Sequence, residues 1–376
     1  MNTLVLDPER QTLRYACFSQ ASRRAVLEGT RDLACGPQSD KHSLLSALRD
    51  IQHQCAARTG RHSADIVAIR TPYGGSAFTR TTLITEQVVA LLATIASEAP
   101  LHLPGLLVLI EACQEVFPSR SIVVAFETAF FVSLPAREHL YALDAHTPTS
   151  TAPRRYGFHG LLHEAACAQV LRLTRTLHRG ALPRILSLCL EPGPELAAVA
   201  GGRPIMVTGG ATPLEGIPGR TSCGQIDPAI VTALSQEKGW GPEQINTVLT
   251  RQSGLLGLTG EPTDLDMLFT EDREEYRLAR QIIEYHILRA AGAGVAALGG
   301  LDAVVVSGRF RQAGRVLGPW LREKLHLPGR PQSPAIRLEF HTETIGRVVA
   351  DQALAAVRNT ARRGVIRLGS PAVHAG

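Results

Sequence analysis

The chain has 376 residues, 44% of them hydrophobic, which is enough for two domains with cores of their own. Its formal charge of +5 is spread without basic runs or a basic face interleaved with aromatics, which argues against a nucleic-acid binder. Gly, Pro or charge breaks every apolar stretch before 18 residues, so no membrane-spanning helix is expected.

Asp7, Glu9 and Arg10 interrupt any apolar core of a signal peptide. The seven cysteines are scattered, with no CxxC pair and no zinc spacing, and read as reduced thiols of a cytoplasmic protein. The only lysines are Lys41, Lys238 and Lys324. Side-chain phosphate contacts therefore fall to arginine and histidine.

In chain order, residues 3–6 and 13–18 predict two short strands around a polar turn at 7–12. A polar loop and a helix near 43–55 follow. Residues 65–70 predict a buried strand ending on Arg70, with a turn at Tyr73-Gly74-Gly75. Thr85 has the chemistry of an N-cap for a helix over 86–96. Residues 99–104 predict a rigid loop, followed by a helix to Val116 and a strand at 121–126 with Glu127 just past its end. The Thr-, Pro- and Ala-rich stretch 144–153 predicts a domain boundary.

The centre of the chain is Arg154-Arg155-Tyr156-Gly157-Phe158-His159-Gly160. Leu162, Ala166, Val170, Leu173 and Leu177 recur behind it at helical spacing, which places His159 at a helix N-terminus. Such a position suits anions, because backbone N–H groups and the positive end of the dipole meet there. A buried turn with a hydrogen-bonded histidine is the alternative. His163, His286 and His326 carry no motif and read as core or surface histidines.

Beyond this point come a strand at 184–190, a turn at Pro192-Gly193 and a hairpin partner at 196–200. The glycine-dense stretch 208–224 is too irregular for regular structure and is a candidate binding loop. Helices are predicted at 228–238, 242–251, 273–297 and 311–325, strands at 302–306 and 335–340, and a last helix after Thr342. Strands and helices alternate in two blocks, which predicts α/β domains with a cleft between them. The expected division is 1–150, completed by a helix at 344–360, then 151–343 and a disordered tail at 361–376.

Several of these segments together resemble the acetate/propionate kinases of the actin-like, sugar-kinase-like superfamily. The resemblance rests on Phe78-Thr79 with Leu83-Ile84-Thr85, Ala99-Pro100-Leu101-His102, Phe126-Glu127-Thr128-Ala129-Phe130 and Tyr156-Gly157-Phe158-His159-Gly160. It continues through Thr212-Pro213-Leu214-Glu215-Gly216, Ile226-Asp227-Pro228-Ala229-Ile230, Ser253-Gly254-Leu255-Leu256-Gly257 and Ala297-Leu298-Gly299-Gly300-Leu301-Asp302. It implies two actin-like (ribonuclease H-like) domains with an active-site cleft, a homodimer, and Mg²⁺ and ATP. The implied reaction moves the γ-phosphoryl group of ATP to acetate or propionate.

By the same resemblance Arg70 holds the carboxylate with Pro213 beside it, His102 and His159 face the phosphoryl group, and Glu127 stands for a catalytic aspartate. Arg14, Gly193, Asp264 and Gly308 fall on the nucleotide side, and Asp7 and Glu343 on the metal side.

The chain also departs from the family pattern. Asp7, Glu9, Arg10-Gln11-Thr12 and Arg14 stand where the family has Asn, Gly, a run of Ser, and Lys. Cys189-Leu190-Glu191-Pro192-Gly193 replaces a His-Leu-Gly-Asn-Gly phosphate loop, and Gly308-Arg309-Phe310-Arg311-Gln312 an adenine-side Gly-Ile-Gly-Glu-Asn loop. The arginine expected after Asp264 is Asp266. Glu9 and Glu191 are expected to weaken ATP binding, since a like charge at ~4 Å costs roughly 4 kcal/mol at an effective dielectric near 20.

The family's second active-site arginine falls on Ser222, and Arg220 is its expected replacement, on the same face of an extended loop about 6.6 Å away. Two functions remain open at this level. One is an acetate kinase-like phosphotransferase; the other is a catalytically impaired homologue that binds a small ligand or another protein.

Overall fold

The computed structural model describes residues 1–9, 11–20, 22–36, 39–60, 64–144, 146, 153–174, 182–325 and 336–368. Most of the 144–153 stretch, His326 and the last eight positions of the expected tail lie outside them. The chain forms two compact units, Met1–Ala129 with the segment from Ile345, and Phe130–Thr344.

The first unit contains β1 (Asn2–Pro8), β2 (Thr12–Ser19), β3 (Ala25–Asp32), α1 (Lys41–Thr59), β4 (Ile66–Thr71), β5 (Thr82–Leu83), α2 (Glu86–Thr94), α3 (Leu103–Val116) and β6 (Ser121–Phe126). Its sheet runs β3-β2-β1-β4-β6-β5. β1 and β2 form an antiparallel hairpin with Asp7 opposite Arg14, while β1, β4 and β6 are parallel. Leu6 aligns with Ile69, and Thr71 with Phe126. Asp7, Arg70 and Glu127 therefore gather where the parallel strands end, the edge at which open α/β sheets bind ligands. The C-terminal helix Ile345–Leu368 packs on this sheet, with Gly346 against Phe18.

Three expectations for this unit are corrected. The polar loop after β2 is a strand, β3, in which Gly29 lies so near Tyr15 that a Cβ would meet its hydroxyl at 2.5 Å. Its exposed edge and mixed composition hide the strand period. α3 begins at Leu103 and takes Pro104 into its first turn, where the missing N–H costs nothing. Helix, rather than disorder, continues from 361 to Leu368.

The second unit contains α4 (Ala136–His139), α5 (Gly160–Thr174), β7 (Arg184–Leu190), β8 (Pro194–Ala200), β9 (Arg203–Val207), α6 (Pro228–Lys238), α7 (Pro242–Arg251), α8 (Gly254–Thr259), α9 (Leu265–Thr270), α10 (Glu274–Leu298), β10 (Ala303–Ser307), α11 (Arg311–Leu325) and β11 (Arg337–Phe340). β9, α8 and α9 are short and are not legible as elements in the sequence. The sheet order is β11-β10-β7-β8-β9. Alternate residues enter opposite cores: Leu186, Leu188, Ala198 and Val304 pack with Ile283 and Ile287 of α10, whereas Ile185, Ala197 and Val305 pack with Ala166 and Val170 of α5.

His341, just after β11, is buried, with Nδ1 3.0 Å from Gln169 Oε1. Burial pushes its pKa below the usual histidine value; Arg172 adds to this and Glu343 opposes it. A lowered folded-state pKa means that the unfolded chain takes up the proton first. Stability is therefore expected to fall as pH drops through the ordinary histidine range. Melting temperatures between pH 8 and 5 should show the fall, and His341→Gln should flatten it. An equal slope in the variant would remove His341 from the account.

Candidate active site

In the first unit the sheet end carries a line of alternating charge. Arg70 Nε lies 2.5 Å from Glu127 Oε1, and Arg70 Nη1 lies 3.2 Å from Asp7 Oδ1. Arg14 Nη2 is 2.8 Å from both Asp7 Oδ2 and Glu9 Oε1. Glu127 is only 2% exposed, so its charge needs this partner. Glu9 does not confront an incoming phosphate alone, because the guanidinium of Arg14 offsets it. The Glu9 amide also bonds to Thr12 O at 2.8 Å, which closes the hairpin turn.

Asp7 spends its carboxylate on two guanidinium groups. No cluster of three or more His, Cys, Asp or Glu that could hold a metal exists among the described residues. His102 is at the N-cap position of α3, without a side-chain cap bond.

In the second unit His159 occupies the left-handed region, with φ 54°, directly before α5. Gly157 precedes it with φ 66°, and a Cβ there would meet the Phe131 ring at 2.6 Å. The turn is pinned from below. Both oxygens of the buried Glu195 carboxylate accept from Phe158 N, at 3.1 and 3.2 Å. His163 is a core histidine, one of the two places expected for it, fully buried with Nδ1 2.8 Å from Ser187 Oγ and Nε2 3.4 Å from Glu195 Oε1. A lone acid in the apolar strand 194–200 and a histidine four residues after His159 are the signals of this in the sequence.

Beside this turn, Arg155 bonds Glu215 Oε1 at 2.8 Å and Gly209 O at 3.1 Å. Tyr141 donates to Glu215 Oε2 and accepts from Ala211 N at 2.9 Å. Burial and the Glu215 carboxylate push the Tyr141 hydroxyl up to about 12, so it remains a donor near neutral pH. This network fixes the start of the 208–224 loop, which has no regular structure, as its glycine content predicts.

A Cβ on Gly193 would lie 3.2 Å from Gly219 Cα, so the 189–193 turn touches the loop that carries Arg220. Gly308 lies against the end of β7, where a Cβ would meet Leu190 backbone at 2.6 Å. Asp264 caps α9 by accepting from Met267 N at 2.9 Å, and Asp266 accepts from Ala313 N at 2.8 Å, holding the start of α11. Pro213 is exposed in a turn and Glu343 half-buried before the C-terminal helix. Arg220 is exposed, and the segment bends, closed by Gly219 N to Ser222 O at 3.0 Å. The extended geometry expected for 220–222 is therefore replaced by a turn.

An acetate kinase of Clavibacter sepedonicus is 40% identical over 239 residues, 63% of this chain and 60% of that relative's length. Acetate kinase 2 of Clostridium perfringens is 30% identical over 331 residues, 81% of this chain and 82% of the relative. Among solved structures, Porphyromonas gingivalis acetate kinase superposes with a TM-score of 0.79 at 24% identity, covering 95% of this chain and 99% of the other. A propionate kinase from Francisella tularensis gives 0.77 at 21%, covering 93% and 98%. These two establish the two-domain actin-like fold. The acetokinase family model matches residues 12–314, and the chain belongs to that family.

Proposed function

We propose that the protein is an acyl kinase that transfers the γ-phosphoryl group of ATP, reversibly, to a short-chain carboxylate such as acetate or propionate. The observation that carries this reading is the Arg70 guanidinium, held at 2.5 Å by a buried carboxylate at the ligand-binding edge of a family-matched sheet. A carboxylate oxygen attacks phosphorus, the bond to the ADP oxygen breaks, and an acyl phosphate and ADP result. The nucleophile is already ionised, so positioning and charge neutralisation do most of the work.

Arg70 with Pro213 is assigned to the carboxylate, and His102 and His159 to the phosphoryl group. Glu127 keeps Arg70 aimed. Arg14, Gly193, Asp264 and Gly308 are assigned to the nucleotide side, where Asp264 acts through the cap it forms. Mg²⁺ is treated as part of the nucleotide substrate. Asp7 and Glu343 are assigned to its side by the family resemblance, and Asp7 is already engaged by Arg14 and Arg70. The pairing of Glu9 with Arg14 favours this reading over an impaired homologue, since it offsets one of the two anions expected to oppose phosphate.

The full chain incubated with ATP and acetate or propionate should yield ADP and an acyl phosphate trappable by hydroxylamine. Absence of acyl phosphate with both acids would refute the assignment. Arg220→Ala should lower kcat by two to three decades, about 2.7–4 kcal/mol, without moving the melting temperature. Ser222→Arg in that background should restore part of the rate. An unchanged rate in Arg220→Ala would make this arginine a solvated loop charge.

The protein is also proposed to be a cytoplasmic homodimer. α6 buries none of its own residues, and Ile230 and Val231 on it, with Leu278 and Tyr285 on α10, are exposed apolar side chains. Sedimentation as a monomer at micromolar concentration would contradict the dimer.

A further inference from the structure

The charges at the end of the first unit's sheet are not equivalent. Along Glu9, Arg14, Asp7, Arg70 and Glu127 the separations are 2.8, 2.8, 3.2 and 2.5 Å. Three carboxylates face two guanidinium groups, so the group as a whole is anionic by one charge. Glu127 is buried and depends on Arg70, while Glu9 reaches Arg14 from the solvent side. Asp7 stands between them. Each of its two arginines has a second carboxylate, so neutralising Asp7 strands neither.

A small carboxylate approaching Arg70 therefore meets one of its own kind already in place. Asp7 Oδ1 and Oδ2 lie 3.2 and 3.3 Å from Arg70 Nη1, the contact a substrate carboxylate would make with a guanidinium edge. We infer that Asp7 is an internal substrate mimic, and that acetate binds Arg70 by displacing the Asp7 carboxylate. The inference rests on Arg70 being the carboxylate holder, as proposed above.

Displacement exchanges one carboxylate–guanidinium contact for another, so little is gained per exchange. The observed affinity is then the intrinsic one reduced by the fraction of molecules in which Asp7 has withdrawn. Asparagine has the same shape but no charge. It competes poorly for a guanidinium and does not repel the incoming anion. Asp7 thus sets how much carboxylate the protein requires before it binds.

The test compares the parent, Asp7→Asn and Asp272→Asn, the last making the same charge change at an exposed position in the other unit. Acetate is titrated into each full-length protein and followed by NMR line broadening of the acetate methyl signal, with a melting curve for every variant. Asp7→Asn is expected to melt as a folded protein and to bind acetate about tenfold more tightly, while Asp272→Asn matches the parent. A gain of at least about threefold confined to Asp7→Asn supports displacement. A smaller gain, a loss, or an equal gain in Asp272→Asn overturns it, with Arg70 still the carboxylate holder. Acetate binding by none of the three overturns the Arg70 assignment together with the inference.

Discussion

Arg70→Ala is expected to destabilise the first unit by about 3–5 kcal/mol and to abolish acyl phosphate formation. An exposed ion pair would contribute less than about 1 kcal/mol, and the side chains decide which figure applies. The side chain of Arg70 is 13% exposed and that of Glu127 3%, at a separation of 2.5 Å. Removing the arginine takes away a guanidinium 2.5 Å from a carboxylate that stays buried. Calorimetry should show a fall in melting temperature of roughly 10 °C. The double variant Arg70→Met, Glu127→Leu should regain most of that stability, because an apolar pair needs no counter-ion, yet remain inactive. A single variant that melts with the parent would show that water, not Arg70, solvates Glu127.

Gly254→Ala is the second change with a large expected effect, and it acts on the loop rather than on the chemistry. Gly254 has φ 61°, and a Cβ there would lie 2.6 Å from Ser222 O and closer still to Gly219 O. Both obstacles are backbone, so no side chain can swing aside. The loop is sewn to this point by Ser253 N to Thr221 O at 3.0 Å, Leu255 N to Gly219 O at 3.0 Å and Leu256 N to Arg220 O at 2.9 Å. Strain in the left-handed region costs about 1–2 kcal/mol, and the overlap about 1–3 more. Gly260→Ala supplies the comparison: φ is 75° and no atom lies within 4 Å of the added Cβ. It should cost the backbone term alone and keep its activity, whereas Gly254→Ala should lose the turn that presents Arg220. Equal melting temperatures for the two variants would contradict the packing argument.

Much of the fold is legible in local patterns along the chain. Helices at 228–238, 242–251 and 311–325 and strands at 121–126 and 184–190 follow from period, caps and bounding turns, which act over a few residues. Thr85 caps α2 by accepting from Val88 N, as its residue type implies. β3 and β9 escape such a reading because an edge strand needs only one well-buried face, and Gly29 and Arg203 blur its alternation. α8 and α9 escape it for length, since six residues give less than two turns of period.

The sequence by itself determined which residue types could serve the chemistry: Arg70, Glu127 and His159 in motif context, and a glycine-dense loop to bring Arg220 forward. It determined the family too, because ordered short motifs survive where single loops have diverged. Only the tertiary structure decided what the altered residues do. Asp7 and Glu9, read along the chain, are two anions in a phosphate turn. The antiparallel register sets Arg14 opposite Asp7, and the parallel neighbour β4 adds Arg70, so that both acids become counter-ions. Asp266, an apparent loss of an arginine, becomes the acceptor for Ala313 N on a helix 47 positions away. Charge and hydrogen bonding act through space within a few ångströms, and sequence spacing fixes such distances only inside one element.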